Sequence, residues 1–142
     1  MAGFIFFRNF ENMQLALWTF RCYVSPSGRD MIEDWYRRQS DEVQTAFDVV
    51  REFLEQRPRD EWRRPDFDIL SGKLRVLGEI RFKVDKQYRV FGFFGPGQSE
   101  FTMLIGASKK SKNYDPRDAL DTALTRRLDV LKDGRRCCAC DL

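Results

Sequence analysis

With 142 residues, 42% hydrophobic and 33% charged, the chain has the size and composition of a single globular domain. Its formal net charge of +3 implies no partner by itself, but it contains no histidine at all. That excludes His-based acid–base catalysis, Ser-His-Asp and Cys-His triads and His-containing metal sites, so any catalysis falls to Lys, Arg, Tyr, Glu, Asp or Cys.

In chain order, residues 1–14 read as a peripheral extension. Phe4, Ile5, Phe6 and Phe7 form an apolar patch, without the basic start, long apolar stretch and small-residue cleavage site of a signal peptide. Met13 is an alternative start. No stretch approaches the ~18 apolar residues of a membrane span. Residues 15–24 alternate, with Trp18, Phe20, Cys22 and Val24 on one side, which predicts a half-buried strand. Ser27, with Asp30 three residues on, resembles a capping box ahead of a helix carrying Met31, Ile32, Trp35 and Tyr36 on one face. Ser40 opens a second helix whose apolar positions Val43, Ala46, Phe47, Val50, Phe53 and Leu54 keep helical spacing until Pro58. Together they predict an N-terminal helical hairpin.

Residues 59–68 read as a polar connection. From residue 73 to 85 the period changes to 2: Leu74, Val76, Gly78, Ile80, Phe82 and Val84 face one way, Lys73, Arg75, Leu77, Glu79, Arg81 and Lys83 the other. A turn at Asp85-Lys86-Gln87 returns the chain as an aromatic strand over 88–94, and 100–108 supplies a third strand. Asp115-Pro116 reads as the cap and first residue of a last helix, with Leu120, Leu124, Leu128 and Leu131 as its apolar stripe and Gly134 as its C-cap. The core therefore spans about 15–134 of a single domain. Residues 135–142, with Cys137, Cys138 and Cys140, are expected to form a reduced, poorly ordered tail, because a thiolate metal clip would need a ligand recruited across the fold. The predicted fold is α+β, a twisted, mostly antiparallel sheet with helices segregated from one face.

The small net charge conceals a polarity. Residues 27–72 carry 8 basic and 12 acidic side chains, whereas residues 73–112 carry 9 basic and only 3 acidic. A basic sheet face is the expected footprint of a polyanion site. Arg81 and Arg89 fall on adjacent strands, where like charges repel unless an anion separates them. Glu79 is the lone carboxylate on their face, and both arginines are expected to point away from the core.

The run Leu77-Gly78-Glu79-Ile80-Arg81-Phe82, then Tyr88-Arg89-Val90-Phe91, then Ser108-Lys109-Lys110 and Tyr114 before a helix, resembles the RelE/HigB superfamily in its phage-derived HigB-like branch. The resemblance covers about residues 15–131. It implies a RelE-like fold and a toxin of a type II toxin–antitoxin system. Such a toxin is a cytoplasmic mRNA endoribonuclease that inhibits translation by cutting message in the ribosomal A site. The cleavage is metal-free and cofactor-free attack of a 2′-oxygen on the neighbouring phosphate. Arg81 and Arg89 are then implied as phosphate clamps, Lys109 and Lys110 as catalytic or RNA-positioning cations, Glu79 as an alternative base and Tyr114 as a stacking or proton-transfer group. Lys73, Arg75, Lys83 and Lys112 are implied to contact RNA. The implied partners are mRNA, the ribosome and a helix-turn-helix antitoxin in a hetero-oligomer, with no membrane. The same fold also serves gyrase-inhibiting toxins and non-catalytic RNA- or protein-binding modules, which need no convergence of the Glu79, Arg81, Arg89, Lys109 and Lys110 set.

Overall fold

In the computed structural model, which describes residues 16–142, the alternating run around Phe20 and Cys22 forms β1 (Thr19–Tyr23). Two helices follow, α1 (Met31–Arg37) and α2 (Asp41–Glu55). Next come β2 (Phe67–Ile69), β3 (Gly78–Lys83), β4 (Gln87–Phe94), β5 (Glu100–Lys110) and β6 (Asn113–Asp115). The chain closes with α3 (Ala119–Lys132) and β7 (Cys137–Ala139). The strands lie in the order β2-β3-β4-β5-β1-β7, with β6 paired to the end of β5. Every ladder among the described residues is antiparallel except β1 with β5. The mixed fold and the mostly antiparallel sheet are as the sequence implied.

The helices are not segregated from one face. Period-2 alternation sends Ile80, Val90, Phe101 and Met103 to one side, where they pack with Ile32 and Trp35 of α1 and Phe47, Val50 and Leu54 of α2. Leu77, Phe91, Phe93 and Leu104 point to the other side, against Ala119, Ala123 and Val130 of α3. The sheet is the middle layer. A bulge opposite Phe91 and Gly92 breaks the β4–β5 register, and the Arg126 guanidinium of α3 donates to the Leu104 carbonyl at 2.8 Å, satisfying a backbone group the ladder leaves free. On the first face Trp35 lies flat on Gly106, where any Cβ would collide with the indole. Glycine there is a requirement of packing.

Several local expectations are corrected. Helix α1 is capped by Asp30, whose carboxylate accepts from the N–H groups of Ile32 and Glu33, while Ser27 bonds Ser25. Ser40 caps α2 as predicted, accepting from Val43. The stretch 59–68 is no polar connection. Trp62 and Phe67 are buried, and the Trp62 ring lies 5.1–5.8 Å from those of Trp18, Phe20, Phe67, Phe94 and Phe101. The indole N–H groups of Trp18 and Trp62 both donate to the Arg57 carbonyl. Strand β3 starts only at Gly78, because Gly72–Leu74 coils into a 3-10 turn. Asp115 belongs to β6, and Asp118 precedes α3 without a side-chain cap. The buried side of α3 is Ala119, Ala123 and Val130, with Leu128 and Leu131 about half exposed. Gly134 begins a 3-10 turn, so the residue after α3 is Asp133 in extended conformation. The cysteine tail is ordered: β7 pairs with β1, Cys137 is buried, and a disulfide joins Cys140 to Cys22. Residues 1–14 and the start of the first predicted strand at Leu15 lie outside the described residues.

Two outcomes follow from this packing. Trp62→Ala removes the centre of the aromatic cluster and is expected to cost about 3–5 kcal/mol in urea unfolding, as for a large core truncation; a loss under 1 kcal/mol would place Trp62 outside the core. All four tyrosines are held above the ordinary phenol value by burial, reinforced for Tyr23 and Tyr36 by the carboxylates of Asp129 and Asp48, and Tyr88 is pushed up to about 12 by burial and Asp85. Because the folded values are raised, this stabilisation is complete below about pH 10 and is lost as pH rises through the folded values. Ultraviolet titration should show native tyrosinate forming only above pH 10, and forming near pH 10 once the chain is unfolded in urea. Overlapping native and unfolded curves would contradict the burial.

Candidate functional site

Strand register assembles the polar cluster. Arg81 on β3 lies opposite Arg89 on β4, and Arg89 opposite Ala107 on β5. One row along, Gln87 faces Lys109, which faces Tyr114 on β6. In the row on the other side, Glu79 sits between Asp68 and Phe91. Alternation puts all of these on the α3 side of the sheet, continuing the Leu77–Phe91–Phe93 core towards solvent. The sequence expectation that Glu79, Arg81 and Arg89 share one face holds.

Their burial does not match the expectation that both arginines point away from the core. Glu79 and Arg89 are only 4% and 3% exposed. One Glu79 carboxylate oxygen accepts from Arg81 at 2.5 Å, and the other faces the Arg89 Nε at 3.6 Å. The Arg89 guanidinium also donates to the Tyr88 carbonyl and the Gln87 side-chain oxygen, both at 2.8 Å. Burial, then the charge of Arg81, lowers the pKa of Arg89 from its usual value, and Glu79 opposes the shift. Arg64, paired to Asp68 at 2.9 Å, is near enough to Arg89 to act in the same direction as Arg81. Arg81 keeps partial exposure, its side chain 19% accessible. It is the more accessible guanidinium of the pair.

Tyr114 sets its ring edge-on to Phe91 at 5.3 Å, with the Lys109 ammonium 5.3 Å from its ring centroid. Burial, then the Glu79 charge, raises the Tyr114 pKa against the lowering effect of Arg89 and Arg81, so its phenol keeps its proton at neutral pH. The structure thus brings Glu79, Arg81, Arg89, Lys109 and Tyr114 together, with exposed Lys83 at the margin. Lys110 alternates to the opposite side, and Lys112 lies in the β5–β6 turn. Lys73 and Arg75 sit at the turn before β3, away from Arg81 along the strand. Gln87 and Arg64 were missed because neither stands in a charged alternation, although Gln87 lies two residues before Arg89 on β4 and so shares its face. Tyr88 and Phe91 are packing residues, as expected: Tyr88 stacks on Phe82 at 5.3 Å and Phe91 is fully buried. Among the described residues, no group of three or more Cys, Asp or Glu side chains is placed to hold a metal ion.

The arrangement is a pair of guanidinium groups held on one side of the sheet by an internal carboxylate. Removing one partner of a buried pair leaves the other charge uncompensated, a loss of about 3–5 kcal/mol. Arg89→Ala is therefore expected to lose about that much in chemical denaturation, and Arg81→Ala only about 1–3 kcal/mol, as for one unsatisfied hydrogen bond. Equal small losses from both variants would contradict the buried role of Arg89.

Residues 34–128 match the model of a family described as phage-derived protein, Gp49-like (DUF891). The match runs from within α1 into α3 and includes the whole Glu79 cluster. No curated protein matches the chain.

Proposed function

The chain belongs to the phage-derived Gp49-like family, and on that premise we propose that it is the toxin of a type II toxin–antitoxin system, an endoribonuclease that cleaves mRNA on the ribosome. The observation that carries the reading is the Arg81–Glu79–Arg89 cluster beside Lys109 and Tyr114 on one side of the sheet. Cleavage of RNA without a metal needs negative charge stabilised at phosphorus and a proton moved from the 2′-hydroxyl to the departing 5′-oxygen. The 2′-oxygen forms a bond to phosphorus and the bond to the 5′-oxygen breaks, leaving a 2′,3′-cyclic phosphate and a 5′-hydroxyl.

In this reading Arg81 holds the phosphate, since a guanidinium is a planar two-point clamp for phosphate oxygens. Arg89 and Glu79, both buried, position Arg81 and do not touch RNA. Both Glu79 oxygens already face guanidinium groups, which argues against a base role for it. Lys109, as an ammonium, gives a proton to the departing 5′-oxygen and is reprotonated from solvent, while the 2′-hydroxyl proton leaves to water; Tyr114 orients Lys109 and offers a ring to a base. Lys83 and Lys112 contribute charge along the RNA path, whereas Lys110, on the opposite side of the sheet, does not. A helix-turn-helix antitoxin is the proposed inhibitor, and mRNA in the ribosomal A site the proposed substrate. Among the described residues no helix is long and apolar enough to cross a membrane; a cytoplasmic location is part of the proposal.

The test is single-turnover cleavage of mRNA on programmed ribosomes, with free mRNA as control. Wild-type protein is expected to cut the ribosome-bound message, and Arg81→Ala and Lys109→Ala to lower the rate about 100- to 1,000-fold, as when one preorganised donor at a developing anion is removed. Ribosome affinity should change far less. A folded wild-type protein that arrests growth without cutting RNA would favour a gyrase-binding or other non-catalytic toxin, and one that does neither would overturn the toxin reading.

A further inference from the structure

Strand β5 carries a gap on the edge that faces β1. The ladder with β1 ends at Cys22 and Met103, and the ladder with β6 begins only at Ser108 and Asp115. Among the described residues, no strand pairs with 104–107 on that edge, while β4 occupies the other. A cleft of about 390 Å³ opens at the gap, between α1 and α3. Its size falls within the ~300–1,000 Å³ of natural ligand sites.

Three cations line the cleft: Arg38 at the end of α1, Lys86 in the β3–β4 turn and Arg126 of α3. Among the described residues none of the three stands in an ion pair. Arg126 is the fixed member. Its guanidinium donates to the Leu104 carbonyl in the gap at 2.8 Å and lies 4.8 Å from the centroid of the Tyr23 ring. Burial lowers its pKa from the usual value, and the nearby charges of Asp118 and Asp129 oppose the shift without pairing with it. A desolvated cation is costly until an anion meets it. Against the three cations the wall sets the carboxylate of Asp115. Two further groups suit an oxyanion: the Ser108 hydroxyl, and Gly106, which has only its backbone to offer. Trp35, flat on Gly106, supplies an apolar wall.

We propose that this cleft binds a phosphate group, carried by a nucleotide or by a strand of RNA, with Arg126 as the fixed donor and Arg38 and Lys86 as rim cations. A phosphate offers three acceptor oxygens where a carboxylate offers two, and donors from separate elements meet here. The Trp35 wall lies where the sugar of the ligand would rest. Tyr88 and Ser108 beside the cleft alternate to the α1–α2 side of the sheet, whereas Arg89 and Lys109 alternate to the α3 side. The cleft is therefore separate from the Arg81 cluster, and the inference holds whether or not the protein cleaves RNA. Lys110, two residues beyond Ser108 on β5, adds its charge to the cleft's side of the sheet.

The experiment is a titration of the nitrogen-15-labelled full-length chain, followed at the Gly106 amide and the Arg126 Nε–H signals. The probes are inorganic phosphate, uridine 5′-monophosphate and a short oligouridylate without terminal phosphates, each against sodium chloride of equal ionic strength. Both signals are expected to shift together and to saturate at millimolar probe or below. Arg38→Ala and Lys86→Ala, at exposed positions, should each weaken binding about tenfold or more, as for a lost hydrogen bond to a charged group. Lys132→Ala, exposed at the end of α3, should not. Saturation by phosphate and the monophosphate alone would assign the site to a free phosphate ligand, and saturation by the oligouridylate to an RNA strand; either supports the proposal. Stationary Gly106 and Arg126 signals with all three probes, equal shifts with chloride, or unchanged affinity in both rim variants would overturn it.

Discussion

A carboxylate with almost no access to water, Glu79, holds two guanidinium groups side by side on neighbouring strands. Without it Arg81 and Arg89, paired directly across the β3–β4 ladder, would repel in a setting where water screens little. Burying an ion is costly, and the cost is offset only when the partners supply good geometry and the remaining hydrogen bonds. Here Gln87 and the Tyr88 carbonyl accept from Arg89, while its Nε and the facing Glu79 oxygen, 3.6 Å apart, make no hydrogen bond and interact by charge alone. The close approach of the two guanidinium groups therefore depends on one side chain.

The layers around the sheet decide where that site opens. On one face an aromatic cluster centred on Trp62 and the helices α1 and α2 seal the core. On the other, Ala119 and Ala123 let α3 approach the strands closely over Phe91, Phe93 and Leu104. Beyond that cover the rows Arg81–Arg89 and Gln87–Lys109–Tyr114 continue the same face towards solvent. A rigid meander thus sets the cluster, and β6, a three-residue strand, brings Tyr114 to Lys109. A site on a paired ladder is held more firmly than one on loops, which suits a task that requires groups fixed before charge develops.

Much of this was legible in the chain. Strict alternation identified β3 and β4 and assigned Glu79, Arg81 and Arg89 to one face, because a period of 2 has only two outcomes. Ser40 marked a helix start because its hydroxyl satisfies an orphan N–H. What the chain concealed has physical causes. Asp30 caps α1 because the helix starts at Met31, while Ser27 is held in the preceding turn by Ser25; either residue type fits a cap pattern, so the sequence does not tell them apart. Trp62 and Phe67 stand alone among charged neighbours, so no local periodicity shows that they fill the centre of the core; only tertiary packing does. In α3 Ala119, Ala123 and Val130 take the fully buried positions, Leu120 and Leu124 pack beside them only partly buried, and Leu128 and Leu131 stay half exposed, a division the leucine spacing alone does not show. The burial of Arg89 was hidden for a similar reason: alternation tells which face a side chain occupies but not what covers it. The pairing of Cys22 with Cys140 joins residues 118 apart, a relation no spacing rule encodes.

The central claim is that Glu79 positions the arginine pair and takes no proton from the RNA. The most direct measurement is the pH–rate profile of single-turnover mRNA cleavage on programmed ribosomes for Glu79→Gln beside wild type. The account predicts a lower rate at every pH with the shape of the profile unchanged, since a disturbed clamp weakens transition-state binding without removing a titrating group. Loss of one limb of the profile in the variant would make Glu79 the general base and contradict the account.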